Sequence, residues 1–139
     1  MKPKTRHQLL ATLFCLLASP AFADAVLVIG HLQLPKLDAV TVQKLYTGRV
    51  VEIDGTPVTV VNAKPAASVR GRFLQTFLNQ DEEKYIAYWT VRKFIGKGLP
   101  PRELASASDV IEFVQSTPGA IGYIDSTDLK PGINVLSRK

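Results

Sequence analysis

The segment from Asn62 to Arg72 reads NAKPAASVRGR. It follows an apolar run carrying Val58, Val60 and Val61. It precedes Val69, Phe73, Leu74, Phe77 and Leu78, which recur at helical spacing. A strand therefore feeds a short loop, and the loop feeds a helix that opens near Ser68. The first amides of a helix have no intrahelical acceptor, and together with the helix dipole they favour a negative charge in front of them. Ser68 adds a hydroxyl there, Val69 a backbone N–H, and Lys64 and Arg70 positive charge, while Asn62 stands at the strand's end. Asn62, Lys64, Ser68, Val69 and Arg70 thus form a candidate oxyanion-binding set. Arg72, two residues beyond Arg70, projects elsewhere on a helix. The competing reading is that Ser68 merely caps its own helix and the basic residues are solvated surface charge.

Catalytic constellations are poor by comparison. His31 is the only histidine beyond position 7, and Cys15 is the only cysteine. A multi-histidine or cysteine metal site therefore has no ligands to use. No serine lies in a G-x-S-x-G elbow, and neither a phosphate-cradling P-loop nor a G-x-G-x-x-G turn occurs. The residues favour a non-enzymatic binding protein with no cofactor. A hydrolase built on Ser68, His31 and an aspartate ranks well below it.

The first residues carry an address. Lys2, Lys4 and Arg6 form a positive head, Leu9 to Leu17 an apolar core too short to span a bilayer, and Ala21-Phe22-Ala23 a small-x-small cleavage pattern. Residues 1–23 are expected to be a secretory signal peptide, and residues 24–139 a single periplasmic domain with room for one modest core. Cys15 would leave with the signal. Removing Lys2, Lys4 and Arg6 lowers 17 basic residues to 14 against the same 12 acidic ones, so the net charge falls from +5 to +2. A balance that mild argues against a nucleic-acid partner.

Helices and strands must position the candidate residues. AVLVIG (25–30) reads as a buried strand, and Asp38 caps a helix carrying Val40, Val42, Leu45 and Tyr46 that Thr47-Gly48 stops. Two extended pieces flank the turn Asp54-Gly55. Asp81, Glu82 and Glu83 open a helix whose Tyr85, Tyr88, Trp89 and Phe94 are expected in the core, and LPPREL reads as a loop. Ser106 or Ser108 caps the helix over DVIEFVQ, with Asp109 completing a capping box. Pro118-Gly119 ends that helix, AIGYID is a strand in which Gly122 admits a close helix or a ligand, and INVLS is a last strand. The alternation implies an α/β domain, a small mixed sheet flanked by helices on both faces.

The blocks VQKLYTGR (42–49), VTVVNA (58–63), SVRGRFLQTFL (68–78), YWTVRKFIGKGLPPREL (88–104) and STPGAIGYID (116–125) resemble, in order and spacing, the phosphate-binding-protein-like family of periplasmic proteins. That family is related to the substrate-binding proteins of phosphate ABC transporters. The resemblance implies the fold of one lobe of a type II periplasmic binding protein. In the full-length relatives a Ser-Gly-Thr turn at a helix N-terminus holds phosphate between two lobes. Here the turn is Ala67-Ser68-Val69, so only the serine carries over, and the chain has room for one lobe.

A small periplasmic binding protein for phosphate or a related oxyanion is the leading reading. The alternative is a protein-interaction or sensing module with no small-molecule ligand, which meets a membrane or periplasmic protein or pairs as a homodimer. An exposed apolar patch near FIGKGLPP would favour that alternative.

Overall fold

A computed structural model describes residues 24–139. The expected signal peptide and Cys15 lie outside the described residues. Strand β1 (Val26–Gly30) is buried along its whole length, as its unbroken apolar run requires. Helix α1 (Ala39–Tyr46) opens at Asp38, whose carboxylate accepts the Thr41 amide at 2.7 Å. That bond holds the Asp38 carboxyl below the usual carboxylate range. Val42, Leu45 and Tyr46 turn inward, whereas Val40, expected with them, is exposed. A two-residue hairpin, β2 (Glu52–Ile53) and β3 (Thr56–Pro57), closes over Asp54-Gly55 and leads into β4 (Thr59–Ala63).

Helix α2 (Ser68–Phe73) widens into a π-helical turn over Leu74–Leu78, which Asn79 ends in the left-handed conformation. Helix α3 (Glu82–Phe94) starts at Asp81, which accepts the Lys84 amide. Residues 102–104, read from the sequence as loop, form a short strand β5 (Arg102–Leu104). It lies parallel to β4, pairing Val61 with Arg102 and Ala63 with Leu104. Three residues carry too little periodicity to announce a strand, and only the neighbouring β4 makes it one. Helix α4 (Ala107–Ser116) is capped by Ser106, then come β6 (Ala120–Asp125) and β7 (Asn134–Arg138).

The main sheet runs β5-β4-β6-β1-β7. β4 is parallel to both β5 and β6, while β1 is antiparallel to β6 and β7, so the sheet is mixed. One face buries Val26, Val28, Ile121 and Tyr123 beneath α1, α2, the π turn and α3. The other buries Leu27, Ile29, Ala120 and Ile124 beneath α4.

The sequence leaves open whether a ligand or a neighbour approaches Gly122, and the fold answers it. A Cβ on Gly122 would stand 2.5 Å from a methyl of Val110, so α4 occupies that space. Gly119 has φ +74°, and a Cβ there would meet the Pro57 carbonyl oxygen at 2.3 Å. The same glycine accepts the Thr59 amide at 2.9 Å, which seats the start of β4 against the start of β6.

Candidate functional site

The carboxyl ends of β4, β5 and β6 lie together, and α2 and α4 begin there. The local sequence explains why the β4 end is held so firmly. Asn62 points into the core beside two tyrosines. Its Nδ2 donates to the Tyr85 hydroxyl at 3.0 Å, and its Oδ1 accepts from the Tyr123 hydroxyl at 3.0 Å. Tyr123 also accepts the Ala63 amide at 3.1 Å, and Tyr46 donates to the Val61 carbonyl at 2.9 Å. Tyr123 stacks on Phe73 with centroids 3.9 Å apart, so the phenol that reads the strand end is fixed by the aromatic core. Burial raises the Tyr46 and Tyr123 hydroxyls well above ordinary phenol ionisation, and raises Tyr85 against the lowering effect of its Asn62 hydrogen bond.

Arg70 completes this network. It is 4% exposed. Its Nε and Nη2 donate to the two oxygens of Glu82 at 2.9 and 2.6 Å, a bidentate pair. Its Nη1 donates to the Ala63 carbonyl at 2.9 Å and to Glu103 at 3.2 Å. The guanidinium also lies 5.6 Å from the Tyr85 ring centre. Arg70 and Asn62 were expected beside an anion in front of the helix. The structure corrects that placement: both are withdrawn into the protein and bound to its own groups. A guanidinium facing two carboxylates has little net charge left for a guest. Tyr85, Tyr123, Glu82 and Glu103 are the partners that sequence reasoning missed. Glu82 is visible only as one acid in the DEE run opening α3, and nothing local marks the other three.

The remaining candidates sit at the surface. Ala67, rather than Ser68, is the residue before the first helical turn, and no side chain caps that turn. Ser68 is the first helical residue and is exposed, as is Lys64, so the self-capping alternative for Ser68 does not hold. Val69 forms part of a narrow hollow of about 50 Å³ between the two helix openings, walled also by Ala67, Ser106, Tyr123, Asp125 and Asp128. That volume suits a few waters rather than an enclosed solute. Its two carboxylates disfavour an anion inside it. For Asp125 burial pushes the carboxyl up, but hydrogen bonds from Thr127 and Arg72 and the charge of Arg72 outweigh that and hold it low. Arg72 pairs with Asp125, which walls the hollow that Val69 lines, and donates to the Asp24 carbonyl. Of the candidate set, Lys64 and Ser68 are the two exposed residues, beside the uncapped start of α2. Among the described residues no group of three or more histidine, cysteine, aspartate or glutamate side chains could hold a metal ion. No helix among them is long and apolar enough to cross a membrane.

No protein-family model matches the chain, and no curated protein matches it. Solved structures do. A phosphate ABC transporter substrate-binding protein of Clostridium perfringens, with bound phosphate, is similar at a TM-score of 0.63 and 17% identity, over 82% of this chain and 44% of that one. PstS of Borrelia burgdorferi is similar at 0.60 and 18% identity, over 82% and 47%. An ABC-type phosphate transport receptor of Vibrio cholerae is similar at 0.55 and 12% identity, over 82% and 46%. The chain has the α/β fold of one lobe of such receptors, and it spans under half the length of the chains it matches.

Proposed function

We propose that the chain is a single-lobe solute-binding module of the periplasm, delivered by removal of residues 1–23, and that it takes phosphate or a related oxyanion at the lip of α2. The observation that carries this reading is the uncapped start of α2, exposed at the carboxyl end of a parallel strand. The fold likeness to phosphate receptors supports it. The ligand set is the backbone amides of Ser68 and Val69, the Ser68 hydroxyl and the Lys64 ammonium. Asn62 and Arg70 serve it at one remove, by fixing the strand end from which Lys64 and the loop depart.

The affinity expected of this lobe by itself is weak. One lip leaves the anion largely in water, where each charge contact is a fraction of its buried value. Dissociation constants of about a millimolar, near 4 kcal/mol, are the natural range. Amide NMR at low ionic strength tests the reading. Added phosphate, against matched chloride, should shift the Ser68 and Val69 amides in a saturable way, and Lys64→Ala should weaken the titration. If millimolar phosphate and sulfate leave these two amides where chloride leaves them, the proposal fails.

A further inference from the structure

A second surface, remote in sequence from the α2 lip, has the character of a docking site. From Lys84 to Arg102 the chain carries five basic residues, Lys84, Arg92, Lys93, Lys97 and Arg102, and no acidic one. Within that span the apolar residues do not all turn inward. Phe94 is 91% exposed, Leu99 70%, Val91 59% and Ile95 54%. Val91, Phe94 and Ile95 are spaced at i, i+3 and i+4, so they share one face at the end of α3, with Lys84 about two turns earlier on the same stripe. Gly96 and Gly98, at φ +73° and +124°, then turn the chain so that Leu99 follows this end.

The tip is braced rather than loose. The Arg92 guanidinium lies 5.6 Å from the Tyr88 ring centre and 5.7 Å from that of Trp89. It also donates to the carbonyls of Gly48 and Lys97. Burial of Trp89 beneath it anchors α3, and the apolar side chains stand outward from that anchor.

We infer that this tip binds an anionic lipid surface, with Phe94, Ile95 and Leu99 entering the headgroup boundary and Lys93 and Lys97 remaining at the phosphates; Arg102 lies instead over the Phe113 ring of α4 and takes no part. Long basic side chains can reach such phosphates while their stems stay against apolar neighbours. Charge selects this occupant over a second copy of the chain. A symmetric pairing would set one acid-free basic segment against another. Exposure argues the same way: side chains as free as Phe94 and Leu99 form a projecting tip, not a groove that grips a peptide. The inference stands apart from the oxyanion reading, since none of its residues belongs to the α2 lip.

Vesicle sedimentation tests it, with the protein as recovered from cells and its N-terminus read by mass spectrometry. Phosphatidylcholine vesicles are compared with and without phosphatidylglycerol, at low and high salt. The protein should sediment with the anionic vesicles, release at high salt, and partition about ten-fold less as Phe94→Ser/Leu99→Ser. The wild-type-to-variant comparison carries the test whatever the N-terminus. Three results would each overturn the inference: no sedimentation, equal sedimentation by the variant, or indifference to phosphatidylglycerol. A wild type that sediments only when an acidic envelope protein is added would overturn it in favour of a protein partner. A solution mass twice that of the variant would do so in favour of self-association.

Discussion

The carboxyl end of β4 and the far end of α3 invert each other. At the first, an asparagine, an arginine, two glutamates and three tyrosines close on one another in and around the core. At the second, a phenylalanine, an isoleucine and a leucine stand in solvent among basic neighbours. Polar residues here do structural work and apolar ones lie outside. The difference teaches that residue type sets what a site can do only once its partners are known. Arg70 with two facing carboxylates is a strut, whereas the same residue facing water would be an anion receptor.

The buried phenols give the most forceful way to break that contrast. Burial raises the ionisation of Tyr46, Tyr85 and Tyr123 above the ordinary value of 10.0, so all three stay neutral in the fold where an unfolded chain would already release its protons. For a raised group the stability is intact below the unfolded value and drains away as pH climbs through and past it. Each such phenol costs about 1.4 kcal/mol per pH unit above 10, so three together remove up to about 4 kcal/mol per unit. Alkaline denaturation followed by tyrosine absorbance should therefore show ionisation of these three coinciding with unfolding, rather than preceding it. A smooth titration of every tyrosine near pH 10 with the fold intact would mean the network is open to water.

Arg70→Ala is the next largest lever. It leaves the Ala63 carbonyl and both oxygens of Glu82 without their Arg70 donors. Breaking a buried pair costs about 3 kcal/mol or more, but Glu82 and Glu103 are 33% and 43% exposed and can rehydrate, so about 2–3 kcal/mol is expected. Urea denaturation should read it as a lower midpoint with an unchanged slope. A variant of wild-type stability that instead loses phosphate-induced amide shifts would restore Arg70 to the ligand set.

How much of this was legible follows from the range of the forces involved. Caps and stops act within four residues, and Asp38, Asp81, Ser106 and Gly119 do what their local sequence implies. The α/β class, with one lobe's worth of strands, is equally visible, because continuous apolar runs such as 26–30 need cover on both faces. The partners of Asn62 and Arg70 lie 7 to 61 residues away in the chain, and no local pattern encodes them. β5 was invisible for the same reason. The aromatic run of α3 misleads in the opposite sense. Tyr85 and Trp89 are in the core as their spacing implies, but Phe94 falls where α3 has outrun the sheet and nothing remains to pack against it.

That last residue gives the smallest expected effect and the sharpest contrast. Phe94→Ser and Leu99→Ser remove side chains that the fold hardly touches, so each should change stability by less than about 0.5 kcal/mol. Surface serines also lower the affinity of the free tip for itself and for other apolar matter, so solubility should rise rather than fall. A comparable truncation in the core, at Phe73, which is fully buried against Tyr46 and Tyr123, belongs to a class that costs about 3–5 kcal/mol. Thermal melts of the two serine variants beside wild type measure the point directly. A melting temperature lowered by several degrees would show that Phe94 packs against something in solution, and the tip would then count as structure rather than as a surface kept free for a partner.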